Sequence, residues 1–143
     1  MLKGKNVVVT GGGRGIGRGI TEQLLEAGAC VLIAQRQALD DDLRDHPQVY
    51  FVEADLASME TPNLIAQFAQ EQLGGIDVLV NNAGFMFEKS IDDMTEQDWD
   101  RMMAVNLRAP AFLCKALVPQ MRRRDGGSII NIGSIEGIGA NPE

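Results

Sequence analysis

Asn6-Val7-Val8-Val9-Thr10-Gly11-Gly12-Gly13-Arg14-Gly15-Ile16-Gly17 carries the decision about fold, because a run of β-branched residues passes through a glycine-rich turn straight into a helical pattern. Val7, Val8 and Val9 are apolar on both sides of an extended chain, as in a strand buried on both faces of a parallel sheet. Ile16, Ile20, Leu24 and Ala27 recur on one helical face, and Gly28 stops that pattern as a C-terminal cap. Between them, glycines permit a tight turn, let the backbone approach an anion and allow the helix to pack close to the sheet, while the helix amino terminus offers unpaired N–H groups. Such a loop suits a phosphate. A P-loop is the rival, but Gly12-x4-Gly17 is followed by Arg18-Gly19 where that motif needs Lys and then Ser or Thr.

The same alternation continues outward. Apolar runs at Cys30 to Ala34, Val49 to Val52, Val78 to Val80 and Ser128 to Ile132 read as four further buried strands. A short acidic helix is expected over Leu39 to Arg44. Thr61 as cap, with Pro62 at the first helical position, opens another that presents Leu64, Ile65, Phe68 and Leu73. A long helical region is expected from Thr95, where Asp98 completes a capping box, to Gly126 and Gly127. Strands alternating with helices predict an α/β fold, a doubly wound parallel sheet of the Rossmann type, as a single dinucleotide-binding domain over residues 1–143. The full sheet of that type has six strands. Five are visible here, so the expectation is a domain truncated after its fifth strand and incomplete at the carboxyl end.

Composition narrows the partners. The 143 residues are 45% hydrophobic and 23% charged, ordinary for a globular domain, and carry a net charge of −7. That charge opposes nucleic acid and anionic membrane, since a phosphate backbone is bound by neutralising it with Lys and Arg. The one basic run, Arg122 to Arg124, falls where a helix ends and complements its dipole. Cys30 and Cys114 have neither disulfide nor zinc spacing and read as reduced core residues, and no carboxylate–His pattern suggests a metal site. No apolar run reaches signal-peptide or membrane-span length, which makes the cytoplasm the expected compartment.

The end of the second strand selects the cofactor. About twenty residues past the glycines, an Asp or Glu there accepts hydrogen bonds from the ribose hydroxyls of NAD. Here the segment reads Ala34-Gln35-Arg36, without a carboxylate. Arg36, helped by Arg14, is suited to pair with a 2′-phosphate, which favours NADP(H) over NAD(H); the alternative is that both are solvated surface arginines.

At this point the chain resembles the classical short-chain dehydrogenases/reductases, from Lys5 to about Gly137. The loop Thr10-x-x-x-Arg14-Gly15-Ile16-Gly17, with Gly11 behind Thr10, matches the family's glycine motif. Asp55-Leu56 stands after the third strand, where the family uses an Asp to contact adenine. Asn81-Asn82-Ala83-Gly84, preceded by Asp77-Val78-Leu79-Val80, matches the family's signature at the end of the fourth strand. The resemblance implies a homo-oligomer, tetramer or dimer, that moves a hydride between a nicotinamide and a small carbonyl or alcohol substrate. It implies further that Asn106, in Val105-Asn106-Leu107, holds a water in a proton relay, and that Ser134 hydrogen-bonds the substrate oxygen. The family's Tyr and Lys are expected beyond Glu143, so the 143-residue chain alone is expected to be inactive. The one Tyr, Tyr50, lies in the third strand with no Lys four residues on, and cannot substitute.

Several residues keep two readings. Pro110 cannot donate to the carbonyl of Asn106, so it either kinks one helix around a free carbonyl or separates two helices. Phe85, Met86 and Phe87 form either an apolar wall for substrate or ordinary packing, while Trp99, Met102, Met103 and Leu107 suit a core or a subunit interface. Ser134 lacks the first Gly of a nucleophile elbow, which disfavours hydrolysis. The function expected from a different class is a non-catalytic dinucleotide-binding or regulatory module that lacks the Tyr and Lys.

Overall fold

The computed structural model describes residues 1–134; Ile135 to Gly137, which enter the sequence reading, lie outside the described residues. Five parallel strands form one sheet: β1 (Asn6–Thr10), β2 (Cys30–Gln35), β3 (Val49–Glu53), β4 (Val78–Asn81) and β5 (Ser128–Asn131). They stand in the order β3-β2-β1-β4-β5, the first five positions of the dinucleotide-binding sheet. Each predicted strand is present within one residue of its expected ends, because β-branched runs bounded by glycine and polar turns leave little latitude.

Alternation along β1 sends its valines to opposite faces of the sheet. Val8 joins Leu32, Ile65, Leu79, Leu113 and Leu117 in one core, while Val7 and Val9 join Val31, Ile33 and Val80 in the other. All three valines are fully buried, and each contributes about 1.5–3 kcal/mol relative to exposure. Helices α3 (Thr61–Leu73) and α5 (Ala109–Arg123) cover the first face. Helices α1 (Gly15–Glu26) and α2 (Asp41–Arg44) cover the second.

The helices correct several expectations. On α1, Ile20 and Leu24 pack on the core, but Ile16 is 71% exposed because it sits in the first turn, over the mouth of the glycine loop. Gly28 follows the last turn with φ +91°, the left-handed conformation a helix end favours. Glu60, not Thr61, is the cap of α3; the Thr61 hydroxyl instead donates to the Asp55 carbonyl at 2.6 Å. Leu64 is exposed, and Ile65 and Ala69 make the buried stripe of that helix. The long region beyond Thr95 is continuous yet not uniform: α4 (Glu96–Met103) passes through a π-helical turn, Ala104–Arg108, into α5.

The predicted capping box is present at Thr95 and Asp98. Asp98 is held at about 2, below its ordinary 3.8, by the Lys89 ammonium first and then by the Thr95 hydroxyl and backbone N–H. At the far end of α5, Arg124 does more than complement a dipole. It donates to buried Asp77 at 3.0 Å, which also receives Lys5 and the Asn6 N–H; burial raises this carboxyl, and these partners together hold it below the ordinary range.

Candidate active site at the sheet switch point

β1 and β4 are neighbours, and from them the sheet runs outward in both directions. Ligands of open parallel sheets bind at such a crevice, beyond the carboxyl ends of the strands. A cleft of about 420 Å³ lies there. All eleven residues that sequence reasoning offered to a cofactor line it: Gly11, Arg14, Gly15, Ile16 and Gly17 after β1, Arg36 after β2, Asp55 and Leu56 after β3, and Asn82, Ala83 and Gly84 after β4.

The glycine loop is tied to the β4 end by side chains whose partners are remote in sequence. The Thr10 hydroxyl accepts from the N–H groups of Asn82 and Ala83 at 3.1 and 3.0 Å. In return the Asn82 amide donates to the Thr10 and Gly11 carbonyls at 3.0 and 3.2 Å. Gly17, in the first turn of α1, is pressed against this knot: a Cβ there would stand 2.1 Å from the Gly11 oxygen and 2.4 Å from the Asn82 amide nitrogen. Absence of a side chain is therefore what lets the helix start so close to the strand end.

Beside the loop, the arginines divide into two kinds. Arg18 pairs with Glu22, Asp40 and Asp42, and Glu22 foremost, with Asp42, raises its guanidinium pKa, so it is engaged in joining α1 to the segment around the start of α2. Arg14 and Arg36 line the cleft, and their guanidinium groups make no hydrogen bond or ion pair with any described residue. Gln35 also lines the cleft, with both ends of its amide engaged. Its amide is buried between the Gly13 N–H and the Gln37 carbonyl, 2.8 Å from each.

On the opposite wall, Asp55 is braced at its backbone by Thr61 and at Oδ1 by the Ala57 N–H at 2.9 Å. Arg101 of α4 reaches the same oxygen at 3.9 Å and lies 5.2 Å over the Phe85 ring, and it also lines the cleft. Sequence reasoning missed Arg101 and Val105. Their spacing of one helical turn was the available signal, since it places both on one face of the helix.

Asn106 sits in the π turn and is 21 residues from its partner: its Oδ1 accepts from the Phe85 N–H at 2.8 Å and its Nδ2 donates to the Phe85 carbonyl at 2.7 Å. The side chain thus clamps the loop after β4. It does not line the cleft. Pro110 neither ends the helix nor leaves a simple kink, for the Ala109 N–H reaches back five residues to the Ala104 carbonyl. Phe85 lines the cleft and its ring lies 6.1 Å from that of Phe87, so at least part of the predicted apolar wall faces the ligand space. Trp99, Met103 and Leu107 are 51%, 37% and 60% exposed, which removes them from the core. Ser134 is exposed three residues past β5 and is not among the lining residues. Tyr50 is on β3, four strand spacings or about 19 Å across the sheet from β5, and packs against the core.

A family model described as short chain dehydrogenase matches residues 5–143. The chain is 41% identical to a D-xylose 1-dehydrogenase of Caulobacter vibrioides, over 94% of its own length and 55% of that protein's. It is 38% identical to an uncharacterized oxidoreductase of Thermotoga maritima, over 100% of its own length and 58% of the other's. Among solved structures, a metagenomic short-chain oxidoreductase in complex with NADP superposes with a TM-score of 0.88 at 36% identity, covering 99% of this chain and 66% of that one. The chain therefore spans little more than half the length of these curated relatives.

Proposed function

The chain belongs to the short-chain dehydrogenase/reductase family, and from that premise we propose that it forms the NADP(H)-binding part of an oxidoreductase acting on a small carbonyl or alcohol. One observation carries this reading: eleven residues from four separate strand ends converge on a single cleft at the switch point of the sheet. The cleft suits a dinucleotide phosphate. Its floor is a helix start bared by glycines, and two arginines that pair with no described residue line it and suit a 2′-phosphate. Among the described residues the one carboxylate lining it is Asp55, which belongs to the adenine side of the family's pattern.

The nicotinamide supplies the hydride, and the protein supplies position and a proton. Asn106, by clamping Phe85, fixes the loop that lies between cofactor cleft and substrate; the carbonyl of Asn106, to which Pro110 cannot donate, is the site for a relay water. Ser134 orients the substrate oxygen by donating its hydroxyl. The proton donor, a Tyr assisted by a Lys, is assigned to sequence following Glu143, and the 143 residues alone are assigned no turnover. No helix of the described residues is long and apolar enough to cross a membrane; the compartment assigned is the cytoplasm. Exposed Trp99, Met103, Leu107 and Phe112 on α4, the π turn and α5 support assembly of copies into a dimer or tetramer.

The test uses a chain extended past Glu143 and titrated with NADPH and NADH. NADPH is expected to bind more tightly, and Arg36→Ala to weaken NADPH by at least about ten-fold, the size of a lost charge-assisted hydrogen bond, with NADH unchanged. Equal affinities, or indifference to Arg36→Ala, defeats the cofactor assignment. Turnover is then followed by NADPH absorbance with aldehydes and ketones and, in the reverse direction with NADP, with alcohols and D-xylose, the sugar named for the Caulobacter relative. Tight binding without turnover by the extended chain supports a binding module in place of an enzyme.

A further inference from the structure

We propose that Gln35 is the positioning residue for dinucleotide selectivity, a strap whose amide fixes the backbone on which both cleft arginines are mounted. The inference rests on the NADP(H) reading above and adds to it a residue of the cleft lining that acts through its neighbours. Gln35 is the last residue of β2 and is 9% exposed. Its Oε1 accepts the Gly13 N–H at 2.8 Å, and its Nε2 donates to the Gln37 carbonyl at 2.8 Å. Arg14 follows Gly13, and Arg36 lies between Gln35 and Gln37. One side chain thus holds the residue preceding the first arginine and the residue following the second.

The chemistry admits few substitutes. One end must accept and the other must donate, which an amide does and a carboxylate does not. A carboxylate at residue 35 keeps the Gly13 bond but sets an acceptor against the Gln37 carbonyl. The position that elsewhere reads ribose hydroxyls with an acid is here spent on joining two loops. Packing agrees: a Cβ on Gly13 would stand 2.6 and 2.7 Å from the Gln35 amide atoms and 2.9 Å from Leu39, so the strap and the bare glycine require each other. Arg14 is extended, with φ −152° and ψ 163°, and neither arginine has another described group to fix its place. Without the strap, both guanidinium groups keep their charge and lose their spacing.

Gln35→Met keeps the shape and removes both hydrogen bonds. In the chain extended past Glu143, NADPH affinity is expected to fall about ten-fold while NADH affinity changes less than about two-fold, the loss being that of two neutral hydrogen bonds acting on the arginines alone. In an Arg14→Ala/Arg36→Ala background, Gln35→Met is expected to cost NADPH nothing further, because the strap acts only through those residues. Equal weakening of both dinucleotides, or an additive loss in the arginine-free background, overturns the proposal. Should Gln35→Met fail to fold, Gln35→Asn, shorter by one methylene, reaches only one of the two partners; it is expected to give a smaller loss still confined to NADPH, and an equal loss with NADH again overturns it. Failure of the underlying reading looks different: the unaltered protein then shows no NADPH preference and no response to Arg36→Ala.

Discussion

Asn82→Asp tests the joint that holds the cleft together. In the native chain the Asn82 amide donates to two carbonyls, of Thr10 at 3.0 Å and of Gly11 at 3.2 Å, and packs where Gly17 leaves no room for a side chain. Each neutral bond contributes roughly 0.5–1.5 kcal/mol net, so removing both costs about 1–3 kcal/mol. The aspartate adds repulsion, since a carboxylate oxygen then faces two carbonyl oxygens across the same distances. Asn82→Ala separates the two effects by deleting the donors without adding charge. For a chain of this size 1 kcal/mol shifts the melting temperature by about 4 °C, so Asn82→Ala is expected to lower it by about 4–12 °C and Asn82→Asp by more.

The pH dependence gives the refuting result. Facing carbonyls, the introduced carboxyl has its folded-state pKa raised above the unfolded value, so its ionisation destabilises the fold. The extra deficit of Asn82→Asp is present above the folded pKa and disappears as pH falls below the unfolded one, whereas that of Asn82→Ala does not change with pH. Melts followed by circular dichroism from pH 4 to 8, an interval of about four units chosen to bracket a raised carboxyl, check this directly. If the two variants melt together at pH 7, or Asn82→Asp melts with the unaltered chain, the two-carbonyl geometry does not carry the stability assigned to it.

Gly17→Ala places a methyl 2.1 Å from the Gly11 carbonyl oxygen, a backbone atom that cannot swing aside, and is expected to lower dinucleotide affinity at least about ten-fold in an equilibrium titration while leaving helix content unchanged. Acid is expected to loosen the start of α4 before the sheet: the Asp98 carboxyl, depressed from 3.8 to about 2, stabilises the folded chain above 3.8 and loses that contribution as pH falls through about 2. Asp98→Asn removes the step, which amide hydrogen exchange across residues 96–103 detects.

The sequence reveals the parts of the site that are local, and hides those that are pairings at a distance. A strand, a glycine turn and a helix are punctuated by consecutive residues, so Gly11 to Gly17 is legible, as are Asn82 to Gly84 from the pattern they complete. That Asn82 holds Gly11, and Asn106 holds Phe85, is not legible, because 71 and 21 residues separate the partners and no periodicity relates them. Arg101 was missed for the same reason: nothing in its own helix announces that Asp55 and Phe85 lie opposite. Where local reasoning failed, at Ile16 and Leu64, the causes differ: Ile16 opens its helix over the glycine loop, whereas Leu64 lies off the stripe of Thr61, Pro62, Ile65 and Ala69 that α3 buries.

The π turn explains how one helical region serves both the cleft and the core. Arg101 and Val105 line the cleft, whereas Ala109, Leu113, Leu117 and Met121 are buried against the sheet. An ideal α-helix, at about 100° per residue, turns Arg101 and Met121 about 200° apart, on opposite faces. One residue absorbed in a π turn reduces that to about 100°, so a single flank faces the sheet throughout and Asn106 is brought against Phe85 at the bulge. The length of the turn therefore matters more than the side chain at any one place in it. Leu107, 60% exposed, allows the comparison: Leu107→Ala removes an exposed side chain, while deleting Leu107 removes the same side chain and the extra residue. The substitution is expected to stay within about 0.5 kcal/mol of the unaltered chain. The deletion leaves 19 steps between Arg101 and Met121, which a plain α-helix turns by the same ~100°, so Ala109, Leu113 and Leu117 keep their face; the bulge closes, Phe85 is released from Asn106, and dinucleotide affinity is expected to fall at least about ten-fold in an equilibrium titration. Equal dinucleotide affinity of the two variants would show that the π turn does not position Asn106.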